Sequence, residues 1–153
     1  MNMAYLLLGS NIEPEKNIPL AMQKLRGTPD LQLLRVSSIW QTPSVGHKAQ
    51  DFHNLGVSIF TPLDAYSLKE NVLCEIEHEL GRVRYPDKNA PRTIDLDILV
   101  FNNQVLDPHI FTYDHLCLPL AEILPDLYSP ELQLTLSQKA ALILQYTKAR
   151  KLT

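Results

Sequence analysis

Two cysteines, Cys74 and Cys117, are all that the 153-residue chain contains. Both lie in apolar-periodic stretches, which argues against a secreted disulfide framework and for a reducing, cytoplasmic compartment. Surplus basic charge is missing as well: 14 Lys and Arg stand against 17 Asp and Glu, for a net charge of −3. That balance offers no field to hold a polynucleotide or an anionic membrane, so neither is expected as a partner. Long apolar runs are absent. The opening stretch Met3 to Leu8 falls far short of the ~20 residues of a membrane helix, and no basic segment precedes it as in a signal peptide. There is no GxxxxGK[ST] phosphate loop, no internal repeat and no low-complexity tract. What is present is an ordinary globular composition, 45% hydrophobic and 20% charged. At this length the expectation is one domain over residues 1–153 that buries roughly 70% of its unfolded surface.

Met3 to Leu8 reads as a buried strand entering a turn at Gly9-Ser10-Asn11. Pro14 opens a helix whose apolar face is Ile18, Ala21, Met22 and Leu25, stopped by Gly27 and Pro29. Leu31 to Thr42 reads as a strand whose alternation slips near Ser37-Ser38, and Phe52 to Thr61 as its antiparallel neighbour. Asp64 or Ser67 caps a second helix carrying Leu68, Val72, Leu73, Ile76 and Leu80 and ending at Gly81. A charged loop from Arg82 to Arg92 precedes the most strand-like segment, Ile94 to Phe101, which Asn102-Asn103 turns into a short hairpin partner at Gln104 to Leu106. Pro108 to Asp114 reads as irregular, and Leu118 to Leu124 and Ser137 to Tyr146 as helices. The order β-α-β-β-α-β specifies an α+β, ferredoxin-like domain with a mainly antiparallel sheet. A C-terminal hairpin and helix are added to it, and residues 128–153 form an extension of the same domain.

The chemistry concentrates in Ala90-Pro91-Arg92-Thr93-Ile94-Asp95-Leu96-Asp97-Ile98-Leu99-Val100-Phe101. Strand alternation puts Ile94, Leu96, Ile98 and Val100 on one face and Asp95 and Asp97 on the other. Two carboxylates side by side on an apolar strand repel and lose solvation, a penalty that a bound cation removes. Oxygen-only ligands suit Mg²⁺, held by one or two carboxylates plus substrate phosphates. Arg82, Arg84 and Arg92 lie just upstream. The planar guanidinium forks of Arg82 and Arg92 suit phosphate oxygens, whereas Arg84 on its own reads as a surface ion pair. Asn54, an amide between Phe52 and Leu55 in an apolar strand, needs a partner if buried. Glu77, at the border of its helix's apolar face, reads as a structural carboxylate for an arginine.

These residues carry a resemblance. Gly9-Ser10-Asn11, Gln41-Thr42-Pro43-Ser44-Val45-Gly46, Asp51-Phe52-His53-Asn54, Ile76-Glu77 with Gly81-Arg82-Val83-Arg84, the Pro91 to Leu99 stretch, and Pro119-Leu120-Ala121-Glu122-Ile123 with Pro125 resemble the 6-hydroxymethyl-7,8-dihydropterin pyrophosphokinase family, in its order. The resemblance implies transfer of a pyrophosphoryl group from ATP to the hydroxymethyl of a reduced pterin, with release of AMP, in folate biosynthesis. It implies two Mg²⁺ on Asp95 and Asp97, with Arg82 and Arg92 handling phosphate and the closing loop and Arg84 on the nucleotide side. Asn54 would bond the pterin, Thr42 and Val45 would add backbone contacts, and Phe52 would stack beside it. Small molecules are the implied partners, and the enzyme is expected to be a monomer. Departures flank the metal strand: Lys88-Asn89-Ala90 replace an aromatic and an arginine, and the stretch before Pro119 is short. Counting forward gives His109 the family histidine's nucleotide contact. Counting back from Pro119 puts Tyr113 at an arginine and His115 at the stacking phenylalanine. These departures leave open a divergent paralogue acting on a related pterin, or a weakly active nucleotide-binding module.

Overall fold

The computed structural model describes residues 1–44 and 50–152. Val45 lies outside the described residues. Strands β1 (Asn2–Ser10), β2 (Gln32–Val36), β3 (Trp40–Thr42), β4 (Phe52–Thr61) and β5 (Asp95–Phe101) form one antiparallel sheet with two short additions, β6 (Gln104–Val105) and β9 (Arg150–Lys151). Its order is β6-β5-β1-β4-β3-β9, and β2 pairs beside β3 along β4. Helices α1 (Pro14–Arg26) and α2 (residues 65–79) connect the strands as β1-α1-β2-β3-β4-α2-β5, the β-α-β-β-α-β order expected of a ferredoxin-like α+β domain with its second strand split in two. α2 is composite: Ala65–Ser67, a π-helical stretch Leu68–Leu73, and Cys74–Glu79. Asp64 caps it by accepting from the Ser67 N–H, and Gly81, at φ +80°, ends it in the left-handed region that favours glycine.

Alternation in β1 divides the interior in two. Ala4, Leu6 and Leu8 face α1 and α2, joining Ile18, Leu25, Leu73 and Ile76, whereas Leu7 faces the opposite side. There it meets α3 (Asp114–Ile123) and α4 (Leu136–Ile143), linked by the hairpin β7 (Tyr128–Ser129) and β8 (Leu134–Thr135). The sheet is thus covered on both faces, and each fully buried leucine contributes about 1.5–3 kcal/mol. Gly56 makes the second layer fit, because a Cβ there would lie 3.2 Å from the Pro119 carbonyl oxygen of α3. No helix among the described residues is long and apolar enough to cross a membrane.

Four sequence expectations need correction. The segment from Leu31 to Thr42 is two strands, split where Ser37 leaves the ladder and its Oγ accepts from Gly56 N–H at 2.8 Å. Val100 does not share the face of Leu96: the register against β1 shifts between Tyr5 and Leu6, leaving Leu99 as an extra residue, so Ile94 and Leu96 join one core and Leu99 and Val100 the other. Pro108 to Asp114 is ordered by a 3₁₀ turn, Pro108–Phe111, capped by the Asp107 side chain. Lastly, α3 begins at Asp114 rather than Leu118, with Pro119 inside it.

Candidate active site

Three strand ends build the site. In register, Gly9 of β1 lies between Asn54 of β4 and Asp95 of β5, and Asp97 is opposite Leu7. Pairing partners share a face, so Asn54 and both aspartates point to the α3 side of the sheet. The side-chain-free Gly9 leaves the floor between them open. Thr42, Phe52, Asn54, Asp95, Asp97 and His115 line one cleft of about 310 Å³. A second cavity, about 370 Å³, is bounded by Arg82, Arg84, Tyr85 and Pro91. Lys88, Arg92, Asp95 and Asp97 border both. The carboxylate pair therefore stands where the two spaces meet.

Asn54 is buried and donates from Nδ2 to the Trp40 carbonyl at 3.1 Å and to Thr42 Oγ1 at 3.0 Å. Its Nδ2 donors are thus used internally. Phe52 lies beneath the Arg92 guanidinium, 5.6 Å from ring centroid to Cζ. Arg92 also donates to Asp95 Oδ2 at 3.1 Å and to the Lys88 carbonyl, and its backbone is held by Asn11, whose Oδ1 accepts from Arg92 N–H at 2.8 Å. Arg82 Nη1 donates to Asp95 Oδ1 at 2.7 Å and to Glu77 Oε2 at 3.3 Å, whereas its buried Nε has no partner among the described residues. Arg84 is mostly exposed and donates to Glu77 Oε1 at 3.0 Å.

The two aspartates differ electrostatically. Burial raises the Asp95 pKa, but the Arg82 hydrogen bond and the charges of Arg82, Arg92 and Lys69 outweigh it and hold the carboxyl below the usual range. Asp97 is pushed up, first by burial and then by the charge of Asp95, with Lys69 opposing. Burial also raises Glu77 and lowers His115. No cluster of three His, Cys, Asp or Glu that could hold a metal occurs among the described residues. The two carboxylates fit Mg²⁺ as an incomplete all-oxygen set that phosphate oxygens and water would complete.

His109 lines neither cavity: it stacks on Tyr113 at 4.5 Å, and Tyr113 stacks in turn on His115 at 5.7 Å, so the last two rings reach the cleft and His109 stands behind them. Several cleft residues are given no site role by the sequence, among them Lys88 and Asn89, read only as a departure from the family pattern, and Asp107 and Leu116. Lys69 was also missed; its Nζ lies 3.3 Å from Asp97 Oδ1. Charged loop residues carry little spacing signal, and Lys69 reads as solvent-facing on a regular helix.

A sequence profile of 7,8-dihydro-6-hydroxymethylpterin-pyrophosphokinase matches residues 5–125. A Bacillus subtilis 2-amino-4-hydroxy-6-hydroxymethyldihydropteridine pyrophosphokinase is 41% identical over 132 residues, covering 80% of this chain and 78% of its own. A Methylorubrum extorquens protein of the same name is 40% identical over 137 residues, covering 83% and 85%. Among solved structures, Plasmodium falciparum HPPK-DHPS with pteroate superposes with a TM-score of 0.72 at 13% identity, a likeness of fold. It covers 94% of this chain, which spans 42% of that longer one. By profile and by relatives, the chain belongs to the 7,8-dihydro-6-hydroxymethylpterin pyrophosphokinase family.

Proposed function

We propose that this protein transfers a pyrophosphoryl group from ATP to the hydroxymethyl oxygen of 6-hydroxymethyl-7,8-dihydropterin, releasing AMP, as a step of folate biosynthesis. The observation that carries the reading is the meeting of two cavities at Asp95 and Asp97. An acceptor in one and a triphosphate in the other would approach across that pair. In the cleft, Asn54 Oδ1 would accept from the pterin's amino or ring N–H, and Phe52 and His115 would flank the ring, with Thr42 and Val45 contributing backbone contacts. Arg82 also lines the second cavity, where its guanidinium would donate to a phosphate oxygen. Arg92 and Arg84 would add further contacts to phosphate; His109 would act through the Tyr113 stack.

Asp95 and Asp97 would hold two Mg²⁺, which when bound neutralise charge on the triphosphate and polarise its oxygens. The chain's own work is positioning. Arg82 and Arg92 hold Asp95 ionised and aimed, and Asn11 fixes the backbone from which Arg92 extends. No side-chain nucleophile is required, because the substrate hydroxyl attacks and phosphoryl transfer depends mainly on alignment and electrostatic stabilisation. The expected state is a cytoplasmic monomer.

Incubation with ATP, Mg²⁺ and the hydroxymethyl dihydropterin tests this directly. AMP and pyrophosphorylated pterin in equal amounts, abolished by EDTA, are expected. ADP as the product, or nucleotide turnover indifferent to the pterin, would refute it.

A further inference from the structure

Asp97 is supported from an unexpected direction. Among the described residues β6 pairs only with Val100 and Phe101, and near the aspartates the outer edge of β5 has no neighbouring strand. There α2 takes a strand's place through side chains: Glu77 Oε2 accepts from Leu96 N–H at 2.8 Å, and Lys69 Nζ donates to the Leu96 carbonyl at 2.5 Å. The same ammonium lies 3.3 Å from Asp97 Oδ1. Lys69 and Glu77 are eight positions apart, which on a regular α-helix leaves them about 80° out of line at roughly 100° per residue. The π-helical stretch Leu68–Leu73 contains Lys69 and runs from it toward Glu77. Such a stretch accommodates one extra residue, reducing the effective separation to seven and the offset to about 20°. The irregular turn thereby aligns both side chains on the strand edge.

We infer that Lys69 is a positioning residue for the transfer: anchored on the Leu96 carbonyl, it holds one oxygen of Asp97 and leaves the other presented to the metal and nucleotide. This rests on the proposed function, since it assigns Lys69 a role toward the same carboxylate pair. Lys69 lines neither cavity, so it acts through Asp97 and not by touching substrate. Partners of this kind typically change metal affinity or activity by ~10–100-fold when removed.

The test compares wild type with Lys69→Met, Lys69→Gln and Lys69→Arg. Calorimetric titration with Mg²⁺ and α,β-methylene ATP gives binding without turnover, steady-state assays give the Mg²⁺ half-saturation and the pterin KM, and thermal unfolding reports folding. Lys69→Met is expected to weaken Mg²⁺-dependent nucleotide binding and raise the Mg²⁺ half-saturation by ~10–100-fold. The pterin KM should move less than about twofold, and Lys69→Arg should recover most of the loss. Lys69→Gln keeps an N–H for the Leu96 carbonyl without the charge, so it should remain folded and share the metal defect. Metal dependence in Lys69→Gln equal to wild type, or equal weakening of both substrates, would overturn the inference while leaving the proposed function intact. Wild-type protein with no Mg²⁺-dependent nucleotide binding would overturn both.

Discussion

Replacing Glu77 by alanine is expected to cost about 3 kcal/mol of folding stability, and replacement by glutamine about 1 kcal/mol. Glu77 is 2% exposed and accepts from Leu96 N–H, Arg82 and Arg84. Alanine orphans a buried backbone N–H, a penalty of about 1–3 kcal/mol, and breaking a buried ion pair brings the usual total to about 3–5 kcal/mol. The lower end applies because Arg82 keeps Asp95 and the Ile94 carbonyl, and Arg84 is mostly in solvent. Glutamine retains an acceptor for Leu96. Burial raises the Glu77 pKa, so its negative charge is itself disfavoured in the fold and losing it costs little. For a domain of this size 1 kcal/mol shifts Tm by ~2–4 °C, so the alanine variant should melt roughly 6–12 °C below wild type. Scanning calorimetry with parallel guanidinium titrations measures both. A Glu77→Ala penalty under ~1 kcal/mol, or a glutamine variant as unstable as the alanine, would refute the claim that the carboxylate stands in for a missing strand at β5.

Asp97→Asn should abolish transfer yet raise Tm at neutral pH. Its pKa is raised in the fold, so ionisation costs stability above the unfolded value of ~3.9, and the advantage of asparagine should vanish as pH falls below that value; an advantage independent of pH would contradict this. Asp95→Ala should also abolish transfer, and near-native turnover with normal metal dependence would sink the metal assignment. Asn54→Ala should weaken pterin binding by about 1–3 kcal/mol and leave ATP binding unchanged, because it removes a polar partner from the cleft proposed for the pterin; calorimetric titration of each ligand decides it. Amide exchange from Val83 to Ala90 should slow markedly with an ATP analogue plus pterin, since the largely exposed segment from Arg82 to Arg92 has few apolar contacts to fix it. Unchanged exchange with binding shown independently would make that loop a static wall.

The site's centre was legible because strand alternation is a strong local rule: Asp95 and Asp97 had to share a face, and Asn54 in an apolar strand had to find partners. Glu77 could be read as a structural carboxylate from its place at the edge of a helical stripe. The fate of Val100 could not be read, because one extra residue at Leu99 costs the sequence nothing visible and reverses every later side chain. Lys69 was hidden for a similar reason: the π-helical stretch changes helical phase, and periodicity counted at 3.6 residues places the side chain elsewhere. The stack from His109 to His115 depends on a 3₁₀ turn in a stretch whose composition predicts only irregularity. The pairing of β9 with β3 joins residues more than a hundred positions apart, beyond any local pattern.

That last pairing bears on solubility. A bare strand edge is a template for a neighbouring molecule's backbone, and β3 would present one beside the cleft proposed for the pterin. β9 covers it with Arg150 and Lys151, paired to Gln41 and Trp40, Leu152 N–H adds a bond to the Ile39 carbonyl at 2.8 Å, and the Lys151 ammonium lies 5.8 Å from the Trp40 ring centroid and 3.9 Å from Glu122 Oε1. Two residues are too short to recruit a further strand, and two adjacent positive charges repel an identical copy. The β3 edge is thereby closed to polymerisation by a cover so small that losing it would leave the strands of the candidate site intact and the protein prone to self-association.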